Sequence, residues 1–240
     1  MTNLSVKHCA PMVLAVSATV TLLTSCSTSV GGNPTGAPQA VPSATTSAVT
    51  APPPGADLQI VVLPVDDLRR MMNDASLVKT ATWRHPGVGL SITFTPPQCS
   101  VVTSNGLHAA LDGSGQTGVY YVNYLSTASP MVQVSEGVVG FPDPGAAHAW
   151  IAAQQAVWQQ CANIDVGLTV AGQSGTQHTR ALQATGDTLS MQSAVVGANT
   201  QCTRTMAARN RVVVDNLVCS PDPAGAATAI VNGMLDRVPR

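Results

Sequence analysis

The chain has 240 residues, of which 45% are hydrophobic and only 10% are charged, and its formal net charge is −1 at pH 7. This length suits one domain of ordinary size with extensions. No cluster of basic residues is longer than the pair Arg69-Arg70, so we expect neither a nucleic-acid interface nor a polybasic membrane patch.

The N-terminus has the pattern of an export signal. Lys7 and His8 form a short polar segment, and the apolar run 12–23 after it is shorter than the roughly 20 residues that a membrane-spanning helix needs. The run ends in Leu-Thr-Ser-Cys, which resembles a bacterial lipobox. We therefore expect residues 1–25 to be a lipoprotein signal peptide and Cys26 to carry acyl chains such as palmitate. The alternative is an ordinary secretory signal that happens to contain a cysteine.

The segment that follows is predicted to be a disordered tether. Residues 27–56 contain no charged and no aromatic residue and are rich in Pro, Gly, Ser, Thr and Ala. Such a segment cannot bury enough apolar surface to offset its loss of conformational entropy. We expect the lipidated cysteine and tether to occupy 26–56 and a folded domain to occupy 57–240.

The cysteines indicate two disulfides. Cys9 leaves with the signal peptide and Cys26 carries lipid. The four that remain in the domain are Cys99, Cys161, Cys202 and Cys219. Four cysteines in an exported domain imply two disulfides, for which three connectivities are possible. They lack C-x-x-C spacing and the histidines are isolated in the sequence, so we expect no metal site, no redox site and no cofactor.

The first half of the domain is predicted to contain one short helix and three strands. The helix follows an extended run and is capped by Asp66 or Asp67. Alternating apolar residues indicate strands at 88–95, 118–126 and 131–141.

Two amphipathic helices are the clearest features of the second half. The first has Asp143 at the N-cap and Pro144 at N1, and its apolar stripe ends at Cys161. The second has the same predicted arrangement at Asp222 and Pro223. Strands are expected between them, near 164–171, 179–185 and 188–196. Because strands outnumber helices and the links are short, we predict an α+β fold, in which amphipathic helices cover an antiparallel sheet and leave a cleft.

The last two cysteines flank a predicted hairpin. If Cys202 and Cys219 are direct cross-strand partners, the turn falls at Asn210-Arg211, where Asn tolerates the positive φ of a two-residue turn. Arg is a poorer turn residue than Gly, so a longer loop with the same register is the alternative. The two cysteines would be a non-hydrogen-bonded pair, with Cα atoms about 4.5 Å apart and within disulfide range. By elimination, Cys99 would pair with Cys161.

Two side chains are weak candidates for ligand binding. On a strand, Tyr120 and Tyr124 share one face and Tyr121 lies on the other, so Tyr121 is a candidate for stacking against a ligand. Arg204 lies on the disulfide hairpin and suits an anionic ligand. The alternatives are core packing for the tyrosine and a solvated sheet edge for the arginine.

The sequence offers only weak signals of a serine hydrolase. The G-x-S-x-G elbow is absent, and the segments around Ser114 and Ser174 are predicted to be glycine-rich turns. A Ser/His/Asp triad scattered along the chain stays open. The alternative function is therefore an envelope hydrolase or transferase that acts on cell-wall or lipid substrates.

Several segments together resemble one known family. Pro-Pro-Gln-Cys at 96–99, the helical segment 138–162, the cysteine hairpin 202–219 and the C-terminal helix are similar to the extracellular sensor domains of mycobacterial PknH-type receptor kinases, which also occur as stand-alone lipoproteins. The resemblance implies an antiparallel α+β domain with a cleft for an unknown ligand. It also implies the same two disulfides as the hairpin register.

We therefore expect a non-enzymatic, lipid-anchored, sensor-like protein at the outer face of the cytoplasmic membrane, in a mycobacterial cell envelope. The expected partners are a small-molecule, lipid or glycan ligand and, through the anchor, the membrane. The printed sequence holds neither a kinase domain nor a predicted membrane span, so an envelope protein such as a receptor kinase is a possible further partner. A structural or adhesive surface protein is a third interpretation.

Overall fold

A computed structural model describes residues 58–87 and 92–239, all of which belong to the compact unit Val49–Arg240. The predictions for the signal peptide, Cys26 and the tether lie outside the described residues. So do the first residues of the strand predicted at 88–95.

Ten strands in the described residues form a single antiparallel sheet. In chain order they are β1 (Leu77–Trp83), β2 (Ile92–Thr95), β3 (Gly118–Ser126), β4 (Gln133–Gly140), β5 (Asp165–Val170), β6 (Gln173–Thr179), β7 (Gln183–Thr185), β8 (Thr188–Val195), β9 (Gln201–Arg209) and β10 (Val212–Ser220). Along the sheet their order is β1-β3-β4-β10-β9-β8-β6-β5-β2, and β7 pairs with β8 beside this path. The predicted α+β class is confirmed.

Helices cover both faces of the sheet. They are α1 (Val65–Met72), α2 (Ser100–Thr103), α3 (His108–Leu111), α4 (Pro144–Gln160) and α5 (Ala224–Arg237), with short 3-10 turns at Leu58–Ile60 and Pro97–Cys99. Within the ranges that the structure describes, no helix has the length and apolar character needed to cross a bilayer.

The sheet separates two apolar cores. One core contains residues of α1 and α5, and the other contains residues of α2, α3 and α4. Strand β3 supplies both, because successive side chains point to opposite faces. Tyr120 and Tyr124 belong to the first core and Tyr121 to the second, as their alternation predicts. Strand β10 is buried along its whole length because both of its faces are covered.

The starts of two helices differ from the prediction. Helix α1 is preceded by Pro64, whose carbonyl accepts the backbone N–H groups of Asp67 and Leu68, so the two aspartates lie inside the first turn rather than at the N-cap. Helix α5 has Pro223 at its N-cap, because the Pro223 carbonyl accepts the N–H of Ala227, and Asp222 makes no cap. The predicted cap of α4 is present, with Asp143 Oδ1 accepting from the Ala146 N–H at 2.9 Å.

Two strands also differ from the prediction. Strand β1 was not predicted, although Val, Thr and Trp are typical of strands. Strand β6 begins at Gln173, directly after Ala171 and Gly172, which both have positive φ and form the turn of the β5–β6 hairpin. The segment around Ser174, predicted to be a turn, is therefore mostly strand.

The cysteine hairpin has the predicted register. Arg209 pairs with Val212 and Cys202 with Cys219, and Asn210 has φ 53° in the turn. The Cα atoms of the two cysteines are 4.0 Å apart, and they form a disulfide. The second disulfide joins Cys99 to Cys161, so it ties the segment before α2 to the end of α4. Both predicted disulfides are confirmed.

Candidate ligand pocket

A cavity of about 490 Å³ lies between the two edges of the sheet. Strands β1 and β2 are at opposite ends of the strand order, yet both line this cavity, so the sheet curls until its edges approach one another. Helix α3 and the start of α2 complete the lining. The volume falls within the range of about 300–1,000 Å³ that is typical of small-molecule sites.

We call this cavity between β1 and β2 the seam pocket, and its walls are largely apolar. Ala81 and Trp83 alternate along β1, and Ile92 and Phe94 alternate along β2, so each strand presents one apolar face to the cavity. Leu107 and Ala109 add the wall formed by α3 and the residue before it, and Gly87 completes the rim.

Three residues that line the pocket carry a buried polar atom with no hydrogen-bond partner among the described residues. These atoms are the indole Nε1 of Trp83, the Oγ of Ser100 and the Oδ1 of Asn123. Ser100 is only 4% exposed. A buried polar atom without a partner costs about 1–3 kcal/mol, so unpartnered atoms are rare in folded proteins. None of the three atoms has appreciable accessible surface, so they lie within the wall and do not face the cavity.

The pocket wall is supported by a buried ion pair. Arg204 on β9 and Asp215 on β10 have side chains that are each 1% exposed. The guanidinium donates one hydrogen bond from Nε to Asp215 Oδ1 and one from Nη2 to Asp215 Oδ2, both at 2.9 Å. The remaining Nη1 donates to the carbonyl of Val101, which lies in α2, and to that of Ser104, which follows α2. The indole ring of Trp158 lies 5.2 Å from the guanidinium carbon. This bidentate geometry, with Nη1 directed at carbonyls and the second donor of Nη2 at the Met206 sulfur, is the arrangement in which a buried pair is tolerated.

Tyr121 links the ion pair to the pocket. Its hydroxyl donates to Asp215 Oδ2 at 3.0 Å, and its ring stacks on Trp83 with the centroids 6.2 Å apart. Burial, and then the charge of Asp215, raise the pKa of Tyr121 well above its ordinary value, so the hydroxyl keeps its proton and stays a donor. The ring lies against Gly137, where a Cβ would collide with it.

The two weak candidates for ligand binding therefore lie beneath the pocket rather than in it. Tyr121 is fully buried and Arg204 is 1% exposed, and neither is among the lining residues. A ligand-binding role for either stays a prediction. The alternative in which Arg204 solvates a sheet edge is wrong, because β9 is a central strand and its arginine is enclosed by α2 and α4.

The described residues contain no hydrogen-bonded serine–histidine pair. Ser114 donates to the carbonyl of Leu111, and Ser174 bonds to Thr169. Ser100 and His108 line the same pocket, and His108 Nδ1 lies 2.9 Å from Asp112 Oδ1, but Ser100 Oγ has no partner. A general base must be within hydrogen-bond reach of its nucleophile, so the hydrolase alternative gains no support from this geometry.

The residues that form the pocket were not singled out from the sequence. Ala81 and Asn123 are cross-strand partners in β1 and β3, and Ser100 reaches the cavity from the opposite side. One signal for Arg204 was present. In the hairpin register Arg204 faces Leu217, so Asp215 is its diagonal neighbour on the same face, which is a favourable position for opposite charges.

Comparison with known proteins agrees with this architecture. A profile of the PknH-like extracellular domain matches residues 53–237, which is most of the chain. The chain belongs to this family. Among solved structures, it is similar to the crystal structure of the extracellular domain of PknH from Mycobacterium tuberculosis, with a TM-score of 0.72 and 21% sequence identity over 77% of this chain and 97% of that chain. No curated protein matches the chain.

Membership of the family confirms the resemblance seen in the sequence. A PknH-like extracellular domain is an extracytoplasmic domain of the sensor type. At 21% identity the solved structure supports the fold, and it does not carry individual ligand contacts over to this chain.

Proposed function

We propose that this protein is a lipid-anchored, extracytoplasmic binding protein that takes up a small molecule in the seam pocket and catalyses no reaction. The observation that carries the proposal is a cavity of about 490 Å³ whose largely apolar walls include a few polar side chains, those of Ser100, His108 and Asn123. Binding sites of this kind are mostly apolar, with a few polar groups that orient the ligand.

The anchor is proposed from the sequence at Cys26, after a signal peptide of residues 1–25. Acyl chains on this cysteine would hold the domain at the outer face of the cytoplasmic membrane, and the segment 26–56 would set its distance from the surface. Stable anchoring needs more than one acyl chain, which a lipidated N-terminal cysteine supplies. Such a protein is suited to capture a ligand, to compete for it with a receptor kinase, or to deliver it.

The pocket is tested with a variant that fills it. In Ala81→Trp the new ring occupies the cavity, whereas Thr82→Trp on the same strand points to the opposite face and serves as the matched control. Wild type and both variants are isolated from a mycobacterial envelope and compared by native mass spectrometry. We expect a bound mass on the wild type and on Thr82→Trp, and none on Ala81→Trp. An equal mass on all three would contradict binding in this pocket.

The anchor is tested separately. In a mycobacterial host, Cys26→Ser should move the protein from the membrane fraction to the soluble extracytoplasmic fraction and remove the acylated N-terminal peptide from its mass spectrum. A variant that stays in the membrane fraction would contradict the proposed anchor.

A further inference from the structure

We infer that the end of the domain where the tether joins it docks on an anionic lipid surface, through arginines that the fold collects around Leu58 and Ile60. The inference rests on the proposed anchor at Cys26 and adds a second contact between the protein and the membrane. We call this surface the basic end, and it consists of Ile60, Arg84, Arg209, Arg211 and Arg237.

Hydrogen bonds bring the arginines to the first residues of the domain. Arg237, in the last turn of α5, donates from Nε to the carbonyl of Ile60 at 2.8 Å. Arg84, which follows β1, donates from Nη2 to Gln59 Oε1 at 3.0 Å. Arg211 lines a small cavity together with Ile60. The segment that leads to the tether therefore lies among arginines from separate parts of the chain.

The fourth arginine completes the basic end from the same hairpin turn. Arg209 lies two residues before Arg211 and donates from Nη1 to the carbonyl of Leu235 in α5. Arg209, Arg211 and Arg237 are exposed to solvent, and Arg84 is half-buried. Ile60 is 50% exposed, which is an apolar side chain of the kind that enters the headgroup region of a bilayer.

The charges of the basic end sum to a positive value. Asp236 lies 3.4 Å from Arg209 Nη1, and because both side chains are exposed, the pair is weak. Asp57 directly precedes the first described residue, so four arginines face two aspartates. The two aspartates of α1 pair with arginines of the same helix. Asp143 caps α4 and Asp187 pairs with a histidine of α4, which covers the other face of the sheet.

The position of the basic end favours a membrane as its partner. The proposed anchor, Cys26, is joined to this end by residues 26–57, and a flexible chain of that length has an r.m.s. extent of about 30 Å. A tether of this kind holds the domain near the surface at an effective concentration on the order of millimolar, so that weak attraction suffices for docking. Guanidinium groups bind phosphate oxygens in a bidentate manner, and each basic residue near an anionic surface strengthens binding about fivefold.

The sequence alone predicts no such patch. Its arginines come from three segments, at 84, 209–211 and 237, and no run of the sequence holds more than two adjacent basic residues. Only the antiparallel sheet, which places the start of β3, the end of β4 and the β9–β10 turn at one end, brings these segments together.

Docking is measured with vesicles and with a protein that lacks the anchor. The mature chain, residues 26–240 with Cys26→Ser, keeps the tether and the whole domain and carries no acyl chain. Its partitioning is followed by sedimentation with vesicles of phosphatidylglycerol and phosphatidylcholine in equal parts, and with vesicles of phosphatidylcholine alone. We expect binding to the anionic vesicles at low salt that is at least about tenfold weaker at ~0.5 M salt and on neutral vesicles, because salt screens exposed charges.

A matched pair of variants locates the surface. Arg209→Gln with Arg211→Gln removes two exposed charges from the basic end and should weaken binding to anionic vesicles at least about tenfold. Lys79→Gln with Arg180→Gln removes two exposed charges elsewhere and should change it less than about twofold. Arg209→Lys with Arg211→Lys keeps the charge and should restore most of the binding, which a merely structural role of the guanidinium groups would not allow.

The outcomes separate docking from the anchor. Equal binding to neutral and anionic vesicles, or an equal loss in both glutamine variants, would overturn docking through the basic end. Absence of binding to anionic vesicles would do the same, while the cell fractionation of Cys26→Ser still decides the anchor independently. If the double glutamine variant does not fold, as judged by circular dichroism, Arg211→Gln alone should weaken binding about fivefold, and an unchanged value would overturn the inference.

Discussion

The only glutamate of the chain, Glu136, is fully buried in β4 and should make the stability of the domain fall as the pH rises. Its Oε1 accepts the backbone N–H of Leu63 at 3.0 Å, but its Oε2 has no partner among the described residues. Burial raises the pKa of Glu136 to about 8, from an ordinary value of 4.5, because the ionised form is poorly solvated between the sheet and α1.

The difference between the pKa of Glu136 in the folded protein and its ordinary value fixes how stability changes with pH. Between pH 4.5 and 8 the folded protein keeps a proton that the unfolded chain has released, so rising pH favours unfolding. The stability that the protonated carboxyl provides is complete below pH 4.5 and is lost as the pH passes through about 8. A pKa difference of about 3.5 corresponds to ~5 kcal/mol at 1.36 kcal/mol for each pH unit, as an upper order of magnitude.

The assay is urea unfolding at intervals from pH 4.5 to 8.5, for the wild type, Glu136→Gln and Asp222→Asn. Glutamine keeps the acceptor for Leu63 and cannot ionise. We expect the free energy of unfolding of Glu136→Gln to rise relative to the wild type by several kcal/mol over this range. Asp222 is an exposed carboxylate, and its variant should follow the wild type. If wild type and Glu136→Gln lose stability in parallel, a buried carboxyl that ionises with difficulty is not the cause.

Three further predictions concern the scaffold of the pocket, each measured by denaturant unfolding. Gly137→Ala should destabilise the folded domain by about 1–3 kcal/mol, because the new Cβ would collide with the Tyr121 ring and lie 2.8 Å from the Asp215 backbone oxygen. The control is Gly175→Ala, which has open space around the new Cβ and should change the free energy of unfolding little. Asp215→Asn should lower the free energy of unfolding by about 3–5 kcal/mol, since it leaves a buried guanidinium without its counter-charge. Adding Arg204→Met in the same chain should restore much of that stability. If the effects of the two substitutions are strictly additive, the two residues are not a coupled pair. Replacing both cysteines with alanine should lower the free energy of unfolding by about 4 kcal/mol for Cys99–Cys161, which spans 62 residues, and by about 3 kcal/mol for Cys202–Cys219, which spans 17. A larger loss for the shorter bridge would contradict the chain-entropy explanation.

Features with a local cause were predicted correctly from the sequence. The cap of α4 depends on Asp143 and Pro144, which are adjacent, and the cysteine hairpin depends on one turn residue and the alternation around it. The disulfides followed from the register and from elimination. The predicted starts of α1 and α5 were wrong because a proline carbonyl begins each helix, two or three residues before the predicted aspartate cap in α1 and one residue after it in α5.

The pocket could not be predicted in this way, since it arises from contacts between distant parts of the chain. Its walls come from the two ends of a ten-stranded sheet, and only the curl of that sheet brings Trp83 near Phe94. Strand β1 itself has weak alternation, because an irregularity between Lys79 and Ala81 pairs Lys79 with Tyr124 and Ala81 with Asn123, which lie on opposite faces of β3. The hairpin register places Asp215 diagonal to Arg204 on the same face, which is a sequence signal for a pair between these two side chains.

The most direct test of the central claim is a crystal structure of the protein isolated from a mycobacterial envelope. Our account predicts a bound molecule in the seam pocket, in contact with Ala81 and Phe94. A structure in which the seam pocket is empty and any bound molecule lies elsewhere would contradict it.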